Sequence, residues 1–387
     1  MLEAIGAAPG AVSKTDWPKV WRSSPEYQTV QEELLRLKAQ ASTLSTTNHD
    51  NEYDYREFAA SFRQQFLVVT RRVFQQYWRT PSYIYSKLGL CIASTLFVGL
   101  VFLNAPLTIQ GLQNQMFAIF ETCAILGQLI GQQMPQFVAQ RSLYEVRERP
   151  AKTYSWKIFM LSQIVAELPW NTLSSVFMWA FIYYPVGFYK NAEVAGQSVE
   201  RGGLMWLLFW QFMLFVSTFS QLCISFSKSV VDGTNAANFL FMLIFFFCGV
   251  LATPIAMPGF WIFLFRVSPL SYWISAILST GLANVKIACA DNEWTTIPLP
   301  DGETCGSYMS DYISRAGGYV MEPDAQFDCN YCKIKESNVY LSSISSEYKD
   351  RWRNFGIIWV YIAFNIVASL GLYWLARMPK WTKKKSL

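Results

Sequence analysis

Residues 158–184 read IFMLSQIVAELPWNTLSSVFMWAFIYY, twenty-seven residues with one charge, Glu167, and a proline two positions beyond it. At 1.5 Å per residue a helix of this length rises about 40 Å, more than the roughly 30 Å of hydrocarbon in a bilayer. The stretch reads as a membrane-crossing helix, and the chain around it is built in the same way. Comparable apolar runs lie near 82–103, 115–137, 203–226, 236–257 and 354–375. A further run, 259–280, follows Pro254, Pro258 and Gly259 and contains Arg266 and Pro269. Its breakers predict a re-entrant or half-depth helix pair, because non-helical backbone at membrane depth is tolerated only inside protein.

Composition agrees with lipid as the solvent. Of 387 residues, 52% are hydrophobic, 17% aromatic and only 15% charged, against about 25% charged in a typical soluble domain. The net charge of +5 is concentrated in short runs beside apolar segments, where it acts as a topology signal rather than a nucleic-acid footprint. Ten Lys and Arg precede the first span, five lie in 138–157 and five follow Leu375, whereas 104–114 has none and 187–202 has two. The positive-inside rule therefore predicts six spans with both termini and the 138–157 loop cytosolic. The loop 281–353 carries seven, but long loops translocate largely regardless of charge, and it is expected outside. The opening MLEAIGAAPG has no basic stretch followed by an apolar core and cleavage site, so the first 80 residues are expected to stay cytosolic.

Enzyme classes that need imidazole at membrane depth are excluded by the single histidine, His49, in the polar stretch TTNHDNEYD. Residues 54–80 place Phe58, Phe62, Phe66, Val69 and Val73 at helical spacing, with Arg63, Arg71 and Arg72 elsewhere on the helix. That pattern predicts an amphipathic helix, either along the inner membrane face or packed on another domain.

Several motifs in order carry a family likeness: YEVRERP (Tyr144 to Pro150), ELPWN (Glu167 to Asn171), YYPVGFY (Tyr183 to Tyr189), CGVLATPIAMPGFWIF (Cys248 to Phe263), RVSPLSY (Arg266 to Tyr272) and RWRNFGI (Arg351 to Ile357). The chain resembles the second transmembrane domain of fungal pleiotropic drug resistance transporters, G-subfamily ABC exporters, almost from end to end. The likeness implies an all-α polytopic membrane protein of the ABC-2 or G-type exporter fold. It also implies a plasma-membrane location and an opening segment, residues 1–53, that follows a nucleotide-binding domain. The order then expected is a connecting helix at 54–80, spans one to five with the re-entrant pair over 81–280, the outer loop 281–353, span six at 354–376 and a basic tail at 377–387.

The sequence contains no G-x-x-x-x-G-K-[ST] loop to cradle triphosphate. The expectation is that this chain binds no cofactor, with ATP and magnesium held by nucleotide-binding domains elsewhere. Its partners would be those domains, a second transmembrane domain, hydrophobic small molecules and the bilayer. A transport-incompetent fragment or membrane scaffold is the rival reading, and a membrane-embedded enzyme is a weaker third.

Candidate sites follow from residue spacing and from the likeness together. Glu121, Gln128 and Gln132 recur on one helical stripe, and a carboxyl at that depth needs a bundle interior or a wet cavity. The resemblance makes that helix line the drug path beside the fifth span. There Asn235, Asn238, Met242, Phe245 and Phe246 mix amides with soft and aromatic surface, and Phe117 joins the same wall. Such surfaces take flat apolar molecules by area, although helix packing alone would account for each residue taken singly. Gly127 and Gly131 form a G-x-x-x-G that points to close packing. Glu167, just before Pro169, is expected to join a polar brace at the kink, and Lys87 to snorkel to the headgroups. Arg141, Glu145, Arg147, Glu148 and Arg149 form, by resemblance, the coupling helix that touches a nucleotide-binding domain; by charge alone they read as a solvated face.

Four of eight cysteines, Cys289, Cys305, Cys329 and Cys332, fall in the outer loop, and Cys91, Cys123, Cys223 and Cys248 within spans. Only the outer set faces an oxidising compartment. Of the three connectivities, joining Cys329 to Cys332 would close a tight redox-type ring, so each should reach back to the earlier pair. The nested arrangement, Cys289 with Cys332 and Cys305 with Cys329, clamps both base and tip. A thiolate zinc site would need a different compartment.

Overall fold

The computed structural model describes residues 15–44, 57–254, 256–300 and 302–377. The opening MLEAIGAAPG, His49 and the basic tail beyond Arg377 lie outside the described residues. The chain divides into two units, Met1–Ala59 and Ala60–Leu387. In the first, helix α1 (Trp17–Arg22) starts at an Asp16 cap that accepts the Lys19 amide, and α2 (Pro25–Leu44) starts at a proline whose missing N–H costs a helix nothing at that position.

The second unit opens with α3 (Phe62–Trp78), capped by the Ser61 hydroxyl on the Gln64 amide. Its buried stripe is Gln65, Val69, Val73 and Tyr77, at steps of four, packed on the helix that carries Glu167. The expected apolar face is therefore rotated. Phe62 is exposed, and so are Leu67, Val68, Phe74 and Trp78, because Gln65 and Tyr77 find hydrogen-bond partners inside and take places that hydrophobicity alone would give to phenylalanine. Pro81 occupies the first turn of the next helix, α4 (Pro81–Val101).

The expected second span is two helices. Helix α5 (Ile109–Ala124) begins at a Thr108 cap on the Gly111 amide, and α6 (Leu126–Leu143) follows after Ile125. Helix α6 runs into a π turn, Tyr144–Glu148, closed by Arg149 N–H to the Tyr144 carbonyl at 2.8 Å. Helix α7 (Trp156–Tyr183) keeps Pro169 inside its 28 residues, and α8 (Phe188–Val194) follows a turn at Gly187, whose φ of 95° favours glycine. Helix α9 (Ser198–Ser225) is the hub. It packs on α6, on α7 and on the helices that follow it, and 83% of its most apolar window is buried, against 33% for α4.

The expected fifth span is shorter than its apolar run. Helix α10 (Val230–Phe246) stops at Phe247, and turns occupy the Gly249 and Pro254 region where proline and glycine cannot continue a helix. Helices α11 (Ile262–Val267) and α12 (Pro269–Leu282) are separated at Ser268, the break that Pro269 imposes on the residue before it. Among the described residues, three helical stretches are long and apolar enough to cross a membrane: Pro81–Val101, Ser198–Ser225 and Tyr348–Arg377; α10 is apolar but shorter.

Between α12 and the last helix lies a small lobe. Strands β1 (Thr295–Ile297), β2 (Tyr319–Val320) and β3 (Cys329–Cys332) form an antiparallel sheet in the order β1-β3-β2, with Thr296 opposite Asn330 and Tyr319 opposite Cys332. Helix α13 (Cys305–Ala316) covers the sheet, and α14 (Ser337–Ser343) leads to α15 (Arg351–Arg377). Cys289 pairs with Cys332 and Cys305 with Cys329, with Cα atoms 6.1 and 5.4 Å apart. The four remaining cysteines are buried and free. Each bond restricts the open chain, so Cys289→Ser or Cys305→Ser is expected to lower stability by about 2–4 kcal/mol. Non-reducing peptide mapping of the native protein should recover 289 with 332 and 305 with 329; free thiols at all four positions would contradict it.

Candidate functional site

Helices α6 and α10 lie side by side, with Gly127 facing Asn238 and Phe241 of α10. Gly131 faces open space and a Cβ on Gly127 would meet α10 only at ordinary contact distance, 3.5 Å, so the expected close packing at this pair is not found. At the outer edge of this contact the Phe120 and Phe245 rings stack with centroids 4.4 Å apart. Of the expected wall residues on α5, α6 and α10, Phe117, Glu121, Gln128, Asn235, Asn238, Met242 and Phe246 are all exposed, and Phe245 is half-buried against Phe120. Gln132 is the partial exception, with its side-chain carbonyl oxygen buried and unpartnered. The result is a face of amides, one carboxyl, sulfur and aromatic edges, able to contact apolar molecules over area while offering a few polar anchors.

Glu293 of the disulfide lobe sits over the first turn of α5. Its carboxylate accepts N–H bonds from Ile109 (3.2 Å), Gln110 (2.7 Å) and Ala290 (3.0 Å). Burial alone would push this carboxyl up, but the bonds from Gln110, Ala290 and Ile109 outweigh it and hold its pKa below the ordinary value. A helix N-terminus favours such a carboxylate. Sequence reasoning missed this residue, because an acid in a long loop carries no sign of the helix it will cap.

The interior is tied by one polar network. Lys87 Nζ on α4 meets Glu167 Oε2 on α7 at 2.7 Å and Asn171 Oδ1 at 2.5 Å. Tyr83 donates to Glu167 Oε1 at 2.7 Å, and Asn171 donates to Ser217 of α9 at 2.7 Å. Lys87 does not snorkel: it is 5% exposed, and Glu167 is 2% exposed. The network joins three helices, and none of its hydrogen bonds goes to the carbonyl that Pro169 leaves free, so Glu167 braces the bundle rather than the kink. The signal available in the sequence was a lysine and a glutamate on different spans, the pairing expected of intramembrane charges.

At the far end of α7, the expected coupling residues divide into two groups. Arg141 is buried and donates to the carbonyls of Ile224 (2.8 Å) and Lys228 (3.2 Å), satisfying the C-terminal end of α9. Glu145 accepts from Tyr373 at 3.2 Å and pairs with Arg377 at 3.5 Å, while Arg149 donates to the Arg377 carbonyl at 2.8 Å. Glu148 is gripped by both guanidinium nitrogens of Arg72 on α3 and by the Tyr154 hydroxyl. Burial alone would raise the Glu148 carboxyl; the bonds from Arg72 and Tyr154 prevail and hold it below the usual carboxylate value. Beside this cluster is a groove of about 280 Å³ lined by Gln64, Val68 and Thr153 among others. Of the five residues, Arg147 alone is exposed, next to Val146, which is 79% exposed. The other four are committed to contacts within this chain.

A helical bundle with a buried ionic network and one exposed polar and aromatic face is the architecture of a multi-pass membrane protein. The ABC-2 type transporter model matches residues 64–282. The chain belongs to the ABC-2 type transporter family. It is 66% identical over 384 residues to "ABC transporter eupT" of Phoma sp, covering 99% of this chain and 27% of that protein. It is 62% identical over 385 residues to "ZEB2-regulated ABC transporter 1" of Gibberella zeae, covering 100% and 26%. Against "ABC multidrug transporter A-1" of Aspergillus fumigatus the identity is 52% over 387 residues, covering 98% and 27%. The chain thus spans about a quarter of the length of these relatives.

Removing one partner of a buried ion pair strands the other charge. Lys87→Met is therefore expected to destabilise the protein by about 3–5 kcal/mol, and adding Glu167→Leu should restore part of that loss. Unfolding of the complete protein in detergent measures it; strictly additive losses would mean the two side chains do not act as a pair.

Proposed function

We propose that this chain is the transmembrane half of an ATP-driven exporter of hydrophobic drugs, xenobiotics or lipids. The observation that carries the reading is the exposed face of α5, α6 and α10, where polar and aromatic side chains are presented together instead of being packed away. On this reading a second transmembrane domain faces that wall and the cargo passes between the two. Nucleotide-binding domains outside this chain hold ATP and magnesium and perform hydrolysis. The chain spans the plasma membrane six times, α5 with α6 and α10 with the turns after it counting as spans, and has both ends and the 144–150 turn in the cytosol and the disulfide lobe outside.

The wall selects by surface rather than by a fixed hydrogen-bond pattern, which suits a range of flat apolar molecules. The family membership and the names of the relatives, transporters and multidrug transporters, support the same reading. The exposed Val146 and Arg147 form the tip that meets a nucleotide-binding domain. Arg72, Glu148 and Tyr154 transmit its movement to α3 and α7.

In the complete polypeptide containing this chain, Glu121→Ala and Phe246→Ala should change which drugs are exported while surface abundance stays the same. Arg147→Glu in the same assay should leave drug binding intact and lower drug-stimulated ATP hydrolysis. Export of every compound falling in proportion to abundance would make the wall structural.

A further inference from the structure

At the end of the bundle away from Glu148, α7 and α9 diverge around a hollow of about 340 Å³ that shares no residue with the α5, α6 and α10 wall. Trp179, Tyr183, Tyr184 and Tyr189 line it, with Glu193 and Ser198. Trp179 and Tyr183 stack at 5.4 Å and 21° to form one wall, and Tyr184 stands edge-on to both, at 5.2 Å and 83° from Tyr183 and at 5.6 Å and 69° from Trp179. Tyr189 closes on Tyr184 at 5.8 Å. Several aromatic faces around one space, with a carboxylate at the rim, are the chemistry that recognises a quaternary ammonium group.

The charges nearby leave Glu193 available. Lys190 donates to Asn104 at 3.0 Å with its ammonium 5.9 Å from the centroid of the Tyr189 ring, and Arg201 donates to Gln197 and to the Ala283 carbonyl. Glu200 pairs with Arg351, and Glu193 has no ion pair among the described residues. The same hollow contains the start of α9, a 28-residue helix whose N-cap, Gln197, makes no side-chain cap bond. Its first-turn amides and dipole favour an anion such as phosphate.

Trp179, Gly202 and Gly203 also line an adjoining apolar slot of about 270 Å³, completed by Val176 and Trp206. A Cβ on Gly203 would meet nothing within 4 Å, so the slot is open. The indole N–H groups of Trp179 and Trp206 are buried without a partner, and a small turn of either ring would offer one to an ester carbonyl. Cation box, helix N-terminus and apolar slot follow one another along the helices, and the two spaces together fall in the usual range of about 300–1,000 Å³ for ligand sites.

We propose that this hollow is a binding site for a membrane lipid with a phosphocholine headgroup. The trimethylammonium group sits among the tyrosines beside Glu193, the phosphate at the start of α9, and an acyl chain in the slot at Trp206. Both charges of the zwitterion are matched, and the lipid is drawn from the leaflet at that end of the bundle. The site depends on the bilayer reading of the fold and not on the export reading.

The test is native mass spectrometry of the complete polypeptide, purified without ATP from nanodiscs holding equal phosphatidylcholine and phosphatidylglycerol. Phosphatidylcholine should be retained in preference. Glu193→Gln and Tyr184→Ala should each reduce that retention about tenfold, and Tyr184→Phe, which keeps the ring face, should retain it. Gly203→Leu, which fills the slot, should also release it. Glu193 and Tyr184 are exposed, so these variants leave the packed core untouched. Equal retention of both lipids, or no effect of Glu193→Gln, would overturn the site. Displacement of phosphatidylcholine by equimolar dodecyltrimethylammonium would overturn the lipid as occupant in favour of a cationic amphiphile. Drug export, read on the same variants, reports separately on the exporter reading, and its loss with retention intact would leave this site standing.

Discussion

The contact between Lys87 and Glu167 sets the terms for the rest of the bundle. Two opposite charges with side chains 6% and 3% exposed can be held in such surroundings only as a pair with their remaining hydrogen-bonding capacity filled. Tyr83 and Asn171 fill it, and Asn171 hands the network on to Ser217. Because each hydrogen bond needs its donor within about 3 Å, α4, α7 and α9 cannot slide along one another without stranding a charge. Apolar packing between helices in lipid lacks this directionality, since lipid tails are as apolar as leucine. The network therefore supplies the register that dispersion contacts alone would leave loose. Gly99 adds to it: a Cβ there would overlap the Phe181 carbonyl of α7, so α4 and α7 touch by backbone about three to four turns beyond the ion pair.

With that register fixed, α9 becomes a wall on which the other helices are mounted. Several of its polar residues bond within α9 or to its neighbours: Thr218 donates to the Leu214 carbonyl, Gln221 to the Met160 carbonyl of α7, and Gln211 to the Phe355 carbonyl of α15. Helix α12 joins the same surface through the Trp273 indole, which donates to the Leu208 carbonyl at 2.8 Å. Left outside, along with much of α4 and α15, is the α5, α6 and α10 face. It is exposed because its residues are those that the buried network and the α9 packing leave unused. Glu293 then pins the start of α5 to the disulfide lobe, so a displacement of that lobe reaches the wall through the Ile109 and Gln110 N–H bonds.

The elements that periodicity and length determine were readable before the structure: the apolar helices, the interruption at Pro269, and the stripe that carries Glu121 and Gln128. The cysteine pairing was readable too, because compartment and spacing leave few arrangements. What could not be read were choices made by tertiary partners. Ile125 separates α5 from α6 with no proline or glycine at that position to announce it. Arg141 looks like its neighbours in a run of charges, yet it is buried because the last carbonyls of α9 need donors. The face of α3 turned away from expectation because Gln65 bonds the Ser155 amide and the Ala60 carbonyl, and Tyr77 bonds Gln163. In the last two cases a polar group with a distant partner outranked the hydrophobic count, and a single sequence does not display distant partners.

The division within the 141–149 segment bears on how force could enter the bundle. Arg141, Glu145, Glu148 and Arg149 reach four different elements: the end of α9, the Tyr373 and Arg377 end of α15, Arg72 on α3, and Tyr154 before α7. A π turn at Tyr144–Glu148 places these side chains around the backbone at angles that an uninterrupted α-helix, with its 100° step, would not give, and such turns are frequent at functional sites. The segment is thus a hub whose charged side chains are all engaged, apart from Arg147 at its tip beside Val146. A push on the tip cannot be absorbed by swinging one free side chain. It must move the turn as a body, and with it the ends of α3, α7, α9 and α15 together. A contact made at two exposed residues can in this way be felt along helices that run the full depth of the bundle.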